Sequence, residues 1–342
     1  EPTMGVDRRG DDPFARASFV GYARGMAART PLSLTDARTL GEHWGLVVVA
    51  VEPVAAGTLN SSHALTTSEG RVFLRICEHV GAAEAEIEAR LLAHLAASGV
   101  PTPAPLALAD GSSSFVARHQ GKPAIALQWI DGAIVCARAV VPAHAFGIGA
   151  ALATVHAAAQ CPVPAARFEP TRLAARLAAL AVPHERRDLL PTIMELQRRL
   201  ARLDTSRLPV RGVIHGDLFR ENALWSGARL SAVVDFEAAC AGNFAYDLMI
   251  AAHAWCFGDR FEPARARALL AGYRTRRALG ADEVDELYPA AQAAAIRFAV
   301  TRLADYELAP QQPPLRDHRR FLARLSEVEA LGPRGWHDLL EA

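Results

Sequence analysis

The sequence is organised around one stretch, Val213-Ile214-His215-Gly216-Asp217-Leu218-Phe219-Arg220-Glu221-Asn222-Ala223, and the segment that follows it, Val233-Val234-Asp235-Phe236. Apolar runs predict three short strands, at 210–214, 223–225 and 230–234. Asp217 and Asn222 then lie in the loop between the first two strands, and Asp235 follows the third. The pattern therefore predicts that three polar side chains meet at the ends of neighbouring strands.

The spacing of these residues indicates a chemistry. Asp217 and Asn222 are five positions apart, which is typical of the catalytic loop of a phosphotransferase. An aspartate at the loop apex can orient an attacking hydroxyl and accept its proton, while Asn222 and Asp235 can hold Mg²⁺ against nucleotide phosphates. Taken singly, each would more simply be a turn or helix-cap residue. We interpret His215 as a support for the loop backbone.

The segment resembles the corresponding motif of the aminoglycoside phosphotransferase and choline kinase superfamily, whose members are relatives of the protein kinases. Within that superfamily the likeness is to the kinase-type homoserine kinases of threonine biosynthesis, over about 300 residues. It extends over 56–62, 215–222, 235–240, 245–250, 254–257, 295–298 and 301–303. The resemblance implies a bilobal α+β fold like that of protein kinases, with a small antiparallel-sheet N-lobe and a larger, mostly helical C-lobe. It also implies ATP and Mg²⁺ as cofactors.

The amino-acid composition limits the kinds of binding partner and the cellular location that we expect. The 342 residues carry 37 basic and 37 acidic side chains, a balance that argues against a nucleic-acid partner bound through bulk charge. No apolar run approaches the ~20 residues that span a bilayer, so no membrane partner is expected. Five scattered cysteines favour a reducing, cytoplasmic location. We expect residues 1–30 to form a disordered or weakly ordered leader.

Periodicity divides the rest of the chain in two. Strand patterns and one helix, at 84–97, predict a nucleotide-binding N-lobe over 31–130. A hinge near 128–132 leads to a catalytic and substrate-binding C-lobe over 131–342. Helices of this lobe are predicted at 142–159, 171–180, 185–203, 246–257, 263–279, 281–307 and 316–331.

Three parts of the N-lobe are predicted to bind the nucleotide: a loop between strands, a strand and helix pair, and the hinge. Small and polar residues between the first two strands could approach phosphate oxygens; they are Gly57, Thr58, Asn60 and Ser61. Arg75 stands where a protein kinase has its phosphate-pairing lysine, and Glu88 is its acidic partner on the following helix. Gln128 and Ile130 would offer hinge backbone groups to adenine.

The acceptor should lie beside Asp217. An amino acid acceptor needs acidic or carbonyl groups for its ammonium and arginine or amide donors for its carboxylate. The candidates are Arg220, Glu237, Asn243, Asp247 and His253. Of these, we interpret Asp247 mainly as a helix cap that holds the catalytic loop.

We therefore predict an ATP- and Mg²⁺-dependent O-phosphotransferase acting on a small-molecule alcohol, with the side-chain hydroxyl of L-homoserine as the leading acceptor. An aminoglycoside, a choline-like alcohol or a specialised amino alcohol is the alternative. A pseudokinase scaffold is a further alternative, against which the presence of all three catalytic-loop and metal residues argues. The sequence makes no prediction of oligomeric state.

Overall fold

The computed structural model describes residues 30–54, 60–158, 163, 170–181, 186–307 and 317–341. The predicted leader lies outside these residues except for Thr30, as do Gly57 and Thr58. In chain order the strands are β1 (Val48–Pro53), β2 (Ser61–Thr67), β3 (Gly70–Ile76), β4 (Val116–His119), β5 (Lys122–Gln128), β6 (Gly212–Ile214), β7 (Ala223–Ser226), β8 (Arg229–Val233) and β9 (Cys240–Gly242). The helices are α1 (Leu34–Glu42), α2 (Ala82–Ala97), α3 (Pro142–Ala157), α4 (Pro170–Leu180), α5 (Leu190–Arg202), α6 (Phe244–Trp255), α7 (Pro263–Arg274), α8 (Ala281–Arg302) and α9 (Arg319–Glu341).

The N-lobe is a five-stranded antiparallel sheet in the order β1-β2-β3-β5-β4. Alternate residues of a strand face opposite sides, and β5 shows this directly. Ala124 and Ala126 join the core beneath α1, whereas Ile125 and Leu127 join the core that contains α2 and continues into the helical lobe. The sheet is therefore covered by a helix on each face.

The C-lobe is built on buried helices. Every residue of α6 is buried, so this helix forms the centre of the lobe. Helices α3 and α7 approach closely at two glycines: a Cβ on Gly149 would lie 2.0 Å from the Leu269 carbonyl oxygen, and a Cβ on Gly272 would lie 2.0 Å from that of Phe146. These glycines permit a backbone contact that no larger side chain would allow.

The motif strands form two small ladders, β6 with β9 and β7 with β8. The fold class predicted from the sequence is confirmed: an antiparallel-sheet N-lobe precedes a mostly helical lobe. Strand β9 was not predicted, because its three small residues carry no alternating pattern. Among the described residues, no helix is long and apolar enough to cross a membrane.

Four helix boundaries differ from prediction by five residues or more. One is the end of α7, which was predicted at 279 and lies at Arg274. The helix predicted from 185 begins at Leu190, after a 3₁₀ turn at Arg187–Leu189. The helix predicted to continue to 307 ends at Arg302 and passes into a π-helical turn, Leu303–Glu307. Helix α9 continues to Glu341, past the predicted end at 331, because the chain kinks at Gly332 (φ 64°) and then resumes a helical path.

Candidate active site

The catalytic loop leaves β6 and is held by a buried carboxylate. Asp247, in the first turn of α6, accepts a hydrogen bond from the His215 N–H at 2.7 Å on Oδ2 and one from the Gly216 N–H at 2.8 Å on Oδ1. Gly216 adopts φ 77°, a conformation that favours glycine. The two bonds fix the direction of the chain immediately before Asp217, whose side chain is half-buried.

A buried hydrogen-bond chain continues behind Asp247. His156 Nε2 lies 3.0 Å from Asp247 Oδ2, and His156 Nδ1 lies 2.7 Å from the Tyr273 hydroxyl. Burial lowers the pKa of His156, so the neutral ring donates from Nε2 and accepts from Tyr273. Burial would raise the pKa of Asp247, but the hydrogen bond from His156 and its other donors lower it. Asp247 is therefore an ionised anchor for the loop.

His215 connects the loop to the end of β8. Its Nδ1 accepts a hydrogen bond from the Asp217 N–H at 3.2 Å, and its Nε2 donates to the Val234 carbonyl oxygen at 3.2 Å. Burial lowers the pKa of His215, which keeps the ring neutral and fits this donor and acceptor pattern. The ring also packs against Phe236, at 4.5 Å between centroids. His215 thus braces the backbone on both sides of the site.

Asn222 and Asp235 lie on adjoining backbone. The Val234 N–H donates to the Asn222 carbonyl oxygen at 3.0 Å, which brings Asn222 beside the residue preceding Asp235. Asn222 Nδ2 donates to the Asp217 carbonyl oxygen at 2.8 Å, leaving the carboxamide Oδ1 as a possible ligand. Asp235 is exposed and adopts φ 65°, a strained conformation for a non-glycine residue. These oxygen donors fit a hard divalent cation that is shared with phosphate groups.

On the nucleotide side, Arg75 of β3 is buried between two carboxylates. Its Nη2 lies 2.7 Å from Glu88 of α2, and its Nη1 lies 3.3 Å from Glu237. Burial would lower the pKa of Arg75, but Glu88 and Glu237 raise it above its usual value. The Arg75–Glu88 pair thus has the strand-to-helix geometry that a protein kinase uses beside its nucleotide.

Glu237 links the two lobes. Besides Arg75, its carboxylate accepts a hydrogen bond from Asn60 Nδ2, so it lies on the nucleotide side. Burial, together with the nearby Asp235, raises the pKa of Glu237 to about 7. The contacts with Asn60 and Arg75 place Glu237 on the nucleotide side, so they do not support our interpretation of it as an acceptor-binding residue.

The remaining nucleotide-side predictions have mixed outcomes. Ser61 is fully buried, and its hydroxyl donates to Glu78 at 2.5 Å and accepts from the Thr30 N–H at 2.9 Å. Because both of these partners lie inside the protein, the structure does not support Ser61 as a phosphate-binding residue. At the predicted hinge, Gln128 is exposed and Ile130 half-buried. Gly132 packs against β7, where a Cβ would lie 2.8 Å from that of Leu224, so this glycine permits close packing.

Two acceptor-side predictions are wrong in position. Asn243 caps α6, accepting from the Tyr246 N–H at 2.8 Å and donating to Glu286 at 2.8 Å; its strand pairing places it at the far end of β6 from Asp217. His253 is 1% exposed within α6 and donates from Nε2 to the Ala291 carbonyl oxygen at 2.8 Å. Both side chains are part of the helical core.

Arg220, by contrast, lies on the surface of the catalytic loop. Its side chain is half-buried, and Nη1 donates to the Ala254 carbonyl oxygen at 2.8 Å. Trp255 Nε1 donates to the Leu218 carbonyl oxygen at 3.0 Å, so the end of α6 supports the loop from below. Arg220 remains a candidate for contact with an acceptor.

Sequence reasoning missed two residues that support the loop. Arg297 is 4% exposed, and its Nη1 donates to the Gly216 carbonyl oxygen at 2.5 Å. His156, described above, is the other. Each is an ionisable residue within a largely apolar stretch of helix, and a buried ionisable residue requires a partner. That isolation was the available signal.

The chain is similar to known proteins over most of its length. The model of the phosphotransferase enzyme family matches residues 50–279. A homoserine kinase from Methylocella silvestris is 32% identical over 318 residues, covering 90% of this chain and 97% of the relative. A homoserine kinase from Rhodopseudomonas palustris is 34% identical over 274 residues, covering 77% of this chain and 82% of the relative.

Solved structures show the same fold. An amicoumacin kinase in complex with AMP-PNP, Ca²⁺ and the ligand Ami has a TM-score of 0.64 at 16% identity, covering 89% of this chain and 97% of that one. An aminoglycoside phosphotransferase from Alicyclobacillus acidocaldarius has a TM-score of 0.61 at 17% identity, covering 93% and 98%. The family match and the homoserine kinase relatives identify an ATP-dependent kinase that uses a divalent metal and phosphorylates an alcohol group. The chain belongs to the phosphotransferase enzyme family.

Proposed function

We propose that this kinase phosphorylates the side-chain hydroxyl of L-homoserine, with ATP as donor and Mg²⁺ as the metal. The observation that carries the proposal is the match to a homoserine kinase over 97% of that relative's length, which leaves little of the relative without a counterpart here. The free cysteines of the described chain, among them Cys77, Cys240 and Cys256, suit a cytoplasmic enzyme.

In the proposed reaction, Asp217 orients the homoserine hydroxyl and accepts its proton. The hydroxyl oxygen forms a bond to the γ-phosphorus as the bond from that phosphorus to the bridging oxygen breaks, and ADP leaves with the electron pair. Asp217 is suited to this task because Asp247, His215 and Gly216 fix the backbone beside it. A positioned base of this kind contributes roughly 10²–10⁴-fold to the rate.

The residues around Asp217 have complementary roles in the proposal. Asn222 and Asp235 would hold Mg²⁺ through oxygen atoms, and the ion would neutralise charge on the phosphates. Arg75, oriented by Glu88, would contact a phosphate, since a guanidinium can pair with two phosphate oxygens at once. Asn60 donates a hydrogen bond to Glu237, so it also lies on the nucleotide side of the site.

An acceptor panel tests the proposal. The purified protein is incubated with ATP, MgCl₂ and one alcohol at a time: L-homoserine, L-serine, choline, ethanolamine or kanamycin. We expect ADP release above the background ATPase rate with L-homoserine, together with a phosphomonoester product detected by ³¹P NMR. Product formation with another alcohol and none with saturating L-homoserine would contradict the proposed acceptor while leaving the kinase assignment intact.

A further inference from the structure

Arg324 of α9 has no acidic partner at contact distance among the described residues. Its guanidinium lies over two aromatic rings, 5.2 Å from the centroid of Phe257 and 4.9 Å from that of Phe321. The side chain is half-buried, and within the described ranges its guanidinium makes no hydrogen bond and no ion pair. Ring stacking orients this cation but does not neutralise its charge.

Other cations surround Arg324. Burial, followed by repulsion from neighbouring arginines, lowers the pKa of Arg324 to about 9. Those neighbours are Arg220, Arg302 and Arg320. Arg302 lies over the same ring as Arg324, 4.6 Å from the Phe321 centroid. A guanidinium keeps its charge in a protein, so the repulsion is an electrostatic cost that a bound anion would offset.

The nearby acid does not remove this cost. Glu327 attracts Arg324 electrostatically, but its Oε2 already accepts a hydrogen bond from the Phe261 N–H at 2.7 Å. The attraction from Glu327 is smaller than the combined effect of burial and the neighbouring arginines, because the pKa of Arg324 stays lowered.

This arginine cluster, defined as Arg220, Arg302 and Arg324, adjoins the catalytic loop. Phe219, two residues after Asp217, packs edge-on against Phe298 at 4.8 Å and against Phe321 at 6.3 Å. Arg220 is itself the next residue of the loop. The positive charge of Arg220 and Arg324 therefore lies beside the segment that must present Asp217 to an acceptor.

A second unsatisfied polar group borders the cluster. His253 stacks on Phe257, at 5.4 Å between centroids, and is tilted against Phe321 at 6.0 Å. Because Nε2 donates to a carbonyl oxygen, Nδ1 of the neutral ring is an acceptor, and it is buried with no hydrogen-bond partner among the residues that the structure describes. An acceptor nitrogen cannot bind an anion, so His253 stays a residue of the helical core beside the cluster and leaves the anion to the arginines.

We propose that Arg324, together with Arg220, binds an anionic group of the acceptor, and that this group is a carboxylate. The inference deepens the proposed function and rests on it, since it assigns the residues that distinguish an amino acid alcohol from a simple amino alcohol. A guanidinium can pair both oxygens of a carboxylate, and a half-buried site strengthens that pairing. Arg302 adds positive potential from α8.

Kinetics with a matched pair of alcohols test the inference. L-homoserine and 3-aminopropan-1-ol share the hydroxyl and the amine, and only homoserine has the carboxylate. The variants are R324Q and R324K, with R334Q as control, because Arg334 is exposed in α9 beyond the kink. Loss of a hydrogen bond to a charged group predicts a KM for homoserine raised roughly 10- to 100-fold in R324Q, with little change in kcat or in the KM for ATP.

The ratio of kcat/KM for the two alcohols gives the decisive comparison. R324Q should reduce this ratio by the same 10- to 100-fold, R324K should fall between, and R334Q should retain it. Wild-type protein that phosphorylates L-homoserine, with R324Q equally selective for it, would overturn the inference and leave the proposed function standing. Preference of the wild type for alcohols without a carboxylate would overturn both.

Sulfate is a probe that does not require turnover. At constant ionic strength it should raise the melting temperature of wild type and R334Q more than that of R324Q, and it should compete with L-homoserine. Equal stabilisation of all variants would refute the anion site whatever the acceptor is. Binding that depends on Arg324 but does not compete with the acceptor would assign the site to a free anion and overturn the carboxylate assignment. Melting curves without sulfate show whether R324Q folds. If R324Q does not fold, R324K replaces it in the comparison.

Discussion

Substitution of Asp247 by asparagine should loosen the catalytic loop without changing the size of the buried side chain. The carboxylate accepts from the N–H groups of His215 and Gly216 on different oxygens. A carboxamide has one acceptor oxygen, so in either orientation its NH₂ group faces one of these backbone donors. His156 can adjust by moving its proton to Nδ1, but a backbone N–H cannot.

The loss of stability in D247N follows from the one backbone N–H that is left without an acceptor. Loss of a hydrogen bond to a charged group, in a site that excludes water, predicts D247N to be less stable by about 2–4 kcal/mol. For 342 residues the entropy of unfolding is about 0.7 kcal/mol/K, so this corresponds to a melting temperature lower by roughly 3–6 °C. Displacement of Asp217 by about 1 Å would also reduce kcat by roughly 10²-fold.

Urea denaturation and steady-state kinetics with saturating ATP and acceptor measure both effects. D259N is the matched control, because Asp259 is exposed in the loop after α6 and should change stability by less than about 0.5 kcal/mol. If D247N melted with the wild type and kept its kcat, the carboxylate could not be what holds the loop.

Three further predictions follow from the site and its surroundings. EDTA should abolish turnover and Mg²⁺ should restore it in the wild type but not in D235A; unchanged turnover in EDTA would contradict a metal at Asp235. The pKa of Glu237 is raised to about 7 in the folded protein, from about 4.3 in the unfolded chain, so the folded protein loses stability as pH rises from about 4.3 to 7. E237Q should therefore stabilise the protein more at pH 8 than at pH 5.5. An equal change in melting temperature at both pH values would refute this. Burial lowers the pKa of His253 to about 3, so below about pH 6.5 the unfolded chain binds a proton that the folded protein does not bind. The free energy of unfolding should therefore fall by up to about 1.4 kcal/mol per pH unit below pH 6.5. H253N should reduce this pH dependence, and an unchanged pH profile of stability in H253N would contradict the prediction.

The fold could be predicted because its signals are local. Strand alternation, helix periodicity and the Asp217–Asn222 spacing each lie within a short window of sequence. The fold class and the order of the two lobes followed from them. Strand β9 did not, because three small residues acquire their strand conformation only by pairing with β6.

The site was predictable to a lesser extent because partners are set by tertiary contacts. Arg75 and Glu88 could be paired, since a strand and the next helix bring them together. Glu237, Asn243 and His253 were assigned to the acceptor from proximity in sequence, yet each is directed elsewhere by the packing of its element. Support from distant helices, such as that of Arg297 to Gly216, has no local signal except an isolated charge in an apolar run.

The central claim is that Asp217 orients and deprotonates the acceptor hydroxyl. Its most direct test is the single-turnover rate of phosphoryl transfer from ATP to L-homoserine by D217N, measured beside the binding affinity of the variant for ATP. We predict a rate reduced by roughly 10²–10⁴-fold with nucleotide affinity and melting temperature close to wild type. A folded D217N protein that transfers the phosphoryl group at a rate near that of wild type would contradict the account.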